Sequence, residues 1–158
     1  MTITYADIRK KKKEIDNKRI TACINVIHQA VNLVCEYRES LGLPKETWDD
    51  IQGNANNYVM VGELFSDGVF KEKSLNDMPV KDYKTIEFDI ATVVDDSPRG
   101  GDFVIVHVIL TVNEDNSTSV MLLPGSDFIS VIDGRWGEAC NKIKDATYLG
   151  IDKIETII

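Results

Sequence analysis

Residues 20–35 (ITACINVIHQAVNLVC) limit the possible folds more than any other stretch of the chain. Apolar residues recur at Ile20, Ile24, Ile27, Val31, Val34 and Leu41, a 4-3-4-3 rhythm broken only at Arg38. That spacing is helical, and it is also the a/d rhythm of a coiled coil. Cys23, Val26, Ala30, Leu33 and Cys35 are apolar too, so only a narrow stripe of Asn25, Gln29, Asn32 and Glu36 is polar. A helix apolar round most of its circumference is expected to be buried, wrapped by other elements or by a second copy of the chain. Asp7 is the expected cap at its start. Gly42 and Pro44 end it, Gly at the position after the last turn and Pro just beyond.

Upstream of the apolar stretch lies IRKKKKEIDNKR, residues 8–19, with seven basic residues in a chain of formal net charge −8. The pairs Lys10/Glu14 and Lys12/Asp16 are four apart, but with the base first, which is the weaker orientation. Positive charge near a helix N-terminus also opposes the macrodipole. The basic arm of Arg9, Lys10, Lys11, Lys12 and Lys13 is therefore not there for helix stability. With only Tyr5 as an aromatic helper, it reads as the solvated end of the helix or as an arm that meets an acidic surface, rather than as a nucleic-acid grip.

Pro44 can open a second helix, and Trp48, Ile51, Ala55, Tyr58 or Val59, Gly62 and Phe65 continue at helical spacing. The short Leu43-Pro44 link then predicts a helical hairpin, weakened by Gly53 and the helix-poor Asn54-Ala-Asn-Asn57. Residues 66–82 read as an irregular connection. Beyond them the period changes to two. Ile86, Phe88 and Ile90 alternate with Glu87 and Asp89, a strand with one wet face. Phe103 to Val112 (FVIVHVILTV) is apolar and β-branched, the pattern of a central strand covered on both faces. Ser117–Leu123 gives a third strand and Phe128–Ile132 a short fourth, and Trp136, Cys140, Ile143 and Thr147 announce a last helix ending near Gly150. The expected fold class is α+β in one domain spanning residues 1–158. An N-terminal helical hairpin with a long buried first helix packs on a three- to four-stranded antiparallel sheet, followed by a C-terminal helix. A chain of this length buries roughly 70% of its unfolded surface.

Several function classes are disfavoured. There is no apolar run of the ~18 residues that a membrane span needs, and no signal-peptide pattern, so a cytoplasmic location and no membrane partner are expected. Cys23, Cys35 and Cys140 are widely spaced and read as free buried thiols. They form no zinc pattern, so no metal and no cofactor are expected. Phosphate-loop, serine-hydrolase and zinc-protease motifs are missing.

Charge carries the functional reading. Residues 1–43 hold eight bases against five acids, a net of +3; residues 44–158 hold ten against twenty-one, a net of −11. Such a protein is repelled by nucleic acid and suits a basic partner. The expected function is that of a small acidic, non-enzymatic binding protein, of the kind that inhibits a nuclease or toxin by occupying its basic surface. Candidate contact residues are Asp49, Asp50, Asp95, Asp96, Asp102, Glu114 and Asp115. The alternative is a small hydrolase using His107 with Glu87 or Asp89, or a cation held by Asp95, Asp96 and Asp102. A third reading is an assembly subunit, with the apolar first helix packed on copies of itself and a homodimer as the expected state.

Overall fold

A computed structural model describes residues 2–125 and 127–154. The chain opens with α1 (Tyr5–Ser40) and continues through β1 (Thr47–Asp49), β2 (Ala55–Asn57), β3 (Val59–Leu64), β4 (Phe70–Glu72) and β5 (Val80–Lys81). It then forms the long strands β6 (Thr85–Val93) and β7 (Phe103–Val112), followed by β8 (Thr118–Leu123), β9 (Asp127–Val131) and α2 (Gly137–Gly150). The class is α+β: one long helix, a seven-stranded sheet, a separate two-stranded β1–β2 ribbon and a C-terminal helix. The main sheet runs β4-β3-β6-β7-β8-β9 with every pairing antiparallel, and β5 takes the edge of β6 where β3 has left it.

The long strands follow their period. One face of the sheet presents Ile86, Phe88, Ile90, Val106, Val108, Leu110, Val120, Leu122, Ile129 and Val131, all buried under the two helices. Covering this face removes most of the apolar surface of the strands from water, at roughly 25 cal/mol per Å². The helix α1 contributes Val26, Ala30, Leu33, Val34 and Tyr37, and α2 contributes Ala139, Cys140 and Ile143. Tyr37 is fully buried, and its hydroxyl lies 2.8 Å from the Thr92 Oγ1 and 3.4 Å from that of Thr147, tying both helices to β6.

Four expectations require correction. The segment from Pro44 to Phe65 forms no helix, and the helical hairpin is replaced by β1, β2 and β3. At the turn Asp50 accepts the backbone N–H groups of Gln52 and Asn54, and Gly53 takes φ +80°. This side-chain turn reverses the chain at the point where a helix had to continue, and Val59 and Val61 then pair with β6. The connection over residues 66–82 contains β4, β5 and a 3-10 turn at Leu75–Asp77. Thr4, not Asp7, is the cap of α1; Asp7 is the reciprocal member of a capping box, its carboxylate accepting the Thr4 N–H at 2.9 Å.

The fourth correction concerns burial. Only one stripe of α1 faces the sheet; every residue from Tyr5 to Thr21 except the half-buried Asp16 is exposed. Cys35 is exposed, Cys23 half-buried, and only Cys140 is a buried thiol. In the sheet, the doubly covered strand is β6 from Phe88 onward, whereas β7 alternates buried and half-buried residues. The far face of β7 presents Phe103, which is exposed, and Ile105, His107 and Ile109, which are half-buried.

Candidate functional site

Two constellations bring the sequence-singled residues together. The first lies on the sheet face opposite the buried Phe88, Ile90, Val106 and Val108. Register places Asp89 of β6 directly opposite His107 of β7, and the His107 Nδ1 lies 2.8 Å from the Asp89 Oδ1. The other carboxylate oxygen of Asp89 accepts the Leu64 N–H at 2.8 Å, so the pair is anchored from both sides. Asp89 is nearly buried and the His107 ring is about one-third exposed. In chemical terms this is a base with an orienting carboxylate, the arrangement that fixes an imidazole tautomer and leaves Nε2 for proton transfer. Glu87 does not join it: it lies opposite Ile109 and pairs with Lys81 at 3.3 Å. The residues beside His107 along β7 are Ile105 and Ile109, and Leu123 lies opposite it on β8, so its registered neighbours supply no nucleophile.

The second constellation is acidic. The Trp48 ring of β1 packs against Gly101 in the β6–β7 loop and joins Tyr58 and Val93 in a small satellite core. That packing brings the β1–β2 turn and the β6–β7 loop to one end of the molecule, with Asp49, Asp50, Asp95, Asp96 and Asp102. A Cβ on Gly101 would lie 3.2 Å from the Trp48 ring, and the residue has φ +102°, so both space and backbone favour glycine there.

The carboxylates at this end are shaped by neutral donors. Asp50 accepts from Gln52, Asn54 and the Asn56 side chain, and Asp95 accepts the Ser97 N–H and hydroxyl. These bonds hold both carboxyls below the usual Asp value, through the Asn54 backbone first for Asp50 and the Ser97 hydroxyl first for Asp95. Asp96 accepts the Tyr58 hydroxyl at 2.6 Å, and the phenol is pushed up to about 12 by that bond. Among the described residues, none of these five carboxylates makes an ion pair; the ion pairs found are Lys12–Asp16, Lys73–Glu63, Lys81–Glu87 and His107–Asp89. Arg99, exposed in the same loop, is the local counter-charge.

Glu114 and Asp115 do not belong to this end. They sit in the β7–β8 turn, beyond the far end of a ten-residue strand that spans ~33 Å. There Asp115 is turned inward on the Ser117 N–H and hydroxyl, which lower its pKa. The basic arm emerges near this far end, where Arg19 lies over the Tyr83 ring, 5.0 Å from its centroid, close to the start of β6. Arg9, Lys10, Lys11, Lys12 and Lys13 are all exposed. The molecule is thus polarised, with an acidic end and a basic arm at opposite ends of the sheet.

Among the described residues, no three His, Cys, Asp or Glu side chains are grouped to hold a metal ion. Asp95 and Asp96, candidates for a shared cation, are turned to Ser97 and Tyr58. Sequence reasoning missed Tyr58 and Trp48 as the residues that build the acidic end, because both were assigned to a helix. It also missed a groove of about 810 Å³ between α2 and the start of β7, lined by Phe103, Ile105, Pro124, Lys142 and Leu149. Also among the described residues, no helix is long and apolar enough to cross a membrane. The chain matches no known family model, and comparison with curated proteins and with solved structures gives no match.

Proposed function

We propose that the protein is a non-enzymatic binding protein that uses its acidic end to occupy a basic surface of a protein partner. The observation that carries this reading is that Asp49, Asp50, Asp95, Asp96 and Asp102 lie at one end, with Asp50, Asp95 and Asp96 held by neutral donors and none of the five, among the described residues, paired with Lys or Arg. Carboxylates ordered in this way are already oriented before binding, and the local field steers a basic partner toward them. A nuclease, a toxin or another nucleic-acid-binding protein has the charge to fit, which makes the mode of action inhibition by occupation.

The test compares the protein with a variant carrying Asp95→Asn, Asp96→Asn and Asp102→Asn. Partners retained from a cell extract are eluted with a salt gradient. The expected partner is basic, elutes as salt rises, and is lost on the variant. An acidic partner, or retention that ignores both salt and the substitutions, refutes the reading.

A second reading rests on the Asp89–His107 geometry: a small hydrolase in which His107 is the general base and Asp89 orients it. Turnover of an ester or phosphoester substrate that disappears in His107→Ala supports it. A protein without turnover, whose His107→Ala variant merely melts earlier, assigns the pair a structural role.

A further inference from the structure

Residues 20–35 of α1 contain no Asp, Glu, Lys or Arg, yet the segment is far from fully covered. Val26, Ala30 and Leu33 face the sheet and are buried. About a third of a turn round the helix, Ile20, Ile24, Ile27 and Val31 form a second apolar stripe with 4-3-4 spacing. Ile20 is 58% exposed, Ile24 62% and Val31 37%, and Ile27 is only partly buried. One helix therefore carries two apolar stripes, of which its own sheet uses one. The open stripe has the spacing of a two-helix seam.

Charge selects what covers it. The arm over residues 5–19 holds seven bases and three acids, a net of +4. The other end of the helix, residues 36–40, holds Glu36 and Glu39 against Arg38, a net of −1. Two copies packed in parallel would set one basic arm beside the other, which like-charge repulsion opposes. Packed antiparallel about the middle of the stripe, Ile20 faces the partner's Val31 and Ile24 faces the partner's Ile27. The same register brings Lys10 of each copy level with the flank of the other that carries Glu39. The stripe also runs into an apolar groove of about 350 Å³ lined by Val31, Val59, Val61 and Leu75, with Arg38, Glu72 and Lys73 on its rim.

We propose that the protein is a two-fold symmetric homodimer in which α1 of one copy packs antiparallel on α1 of the other, along Ile20, Ile24, Ile27 and Val31, with each basic arm laid on the acidic flank of its partner. Such an interface is isologous and closes on itself, so it yields dimers rather than filaments. It leaves the β1–β2 turn and the β6–β7 loop outside the helix pair.

The test uses the full chain in analytical ultracentrifugation across a concentration series. The expected species has twice the 17.7 kDa mass of the chain. Ile24 is exposed in the single copy, so Ile24→Glu leaves the fold intact by circular dichroism but weakens the dimer at least ~100-fold, because a charge is forced into an apolar seam. Lys10→Glu and Glu39→Lys each weaken it by roughly 3- to 10-fold, and the double variant restores it. A monomer at every concentration overturns the proposal, as does a dimer indifferent to Ile24→Glu. A double variant no better than the single ones overturns the antiparallel register. A monomer that binds duplex DNA, and loses it on changing Lys10–Lys13 to Gln, assigns the arm to nucleic acid instead and likewise overturns the proposal.

Discussion

The two halves of α1 share one unbroken helix and almost nothing else. From Val26 to Tyr37 the helix is a core element, with Val26, Ala30, Leu33 and Tyr37 at 1% exposure or less. From Tyr5 to Thr21 it touches the rest of the molecule through little more than Arg19 over Tyr83. The buried half is held by packing. The exposed half has only local devices: the Thr4–Asp7 capping box and the Lys12–Asp16 pair at 2.6 Å. Isolated helices of about 15 residues are marginal in water, so the arm is stable chiefly because it continues a helix already nucleated by the core. The difference shows how one secondary-structure element can serve both stability and recognition: the part not needed for the core is free to carry charge and an open apolar stripe.

The largest expected contrast is between Leu33 and Ile15. Leu33 is fully buried, so Leu33→Ala leaves a cavity and costs about 2–5 kcal/mol in chemical denaturation. Ile15→Ala, on the arm, is expected to change stability by less than about 0.5 kcal/mol. Equal effects would break the division of the helix into two regimes. The next contrast is polar. Tyr37→Phe removes a hydroxyl shared by Thr92 and Thr147 in the core and should cost about 1–2 kcal/mol. Breaking the exposed Lys12–Asp16 pair by Lys12→Ala should cost at most about 0.5 kcal/mol.

A smaller effect is expected from pH, outside the helix. Asp50 and Asp95 have folded-state pKa values below the usual 3.8, through hydrogen bonds they accept from neighbouring turn residues. A depressed carboxylate stabilises the fold above its unfolded value, and that contribution is lost as pH falls through the folded value. Asp50→Asn should therefore lower the melting temperature at pH 7, with the difference from the parent protein shrinking as pH drops below 3.8. A difference that grows toward acid would contradict the assignment. Smallest of all on global stability is Thr4→Ala. It removes a cap worth about 1 kcal/mol to the first turn, and should reduce helical signal at 222 nm with almost no shift in the melting temperature.

Parts of this architecture are legible in the sequence where the signal is long and periodic. The strands over residues 86–90, 103–112 and 117–123, the short strand near Phe128, the helix to Gly150 and the stop at Gly42 all follow from alternation or capping. Residues 44–65 mislead because Trp48, Ile51, Ala55, Tyr58, Gly62 and Phe65 fall at helical intervals by coincidence. The signal that decides them is the Asp50 side chain folding onto Gln52 and Asn54, with Gly53 behind it. The burial of α1 is over-read for a different reason: composition says that a helix is apolar, but not which of its stripes the sheet has room for. At the candidate site, the Asp89–His107 pairing is one of two options visible in sequence, and only strand register chooses it over Glu87. The acidic end depends on Trp48 reaching Gly101 across a third of the chain, a contact with no local trace.

Hydrogen exchange along α1 tests the division of this helix most directly. Amides of residues 26–40 are expected to exchange only through global unfolding, and those of residues 5–16 by local fraying, orders of magnitude faster. Between them, residues 17–25 should gain protection as protein concentration rises. Protection that is uniform from Tyr5 to Ser40 in dilute protein would contradict the account, because the arm would then be held by its own fold.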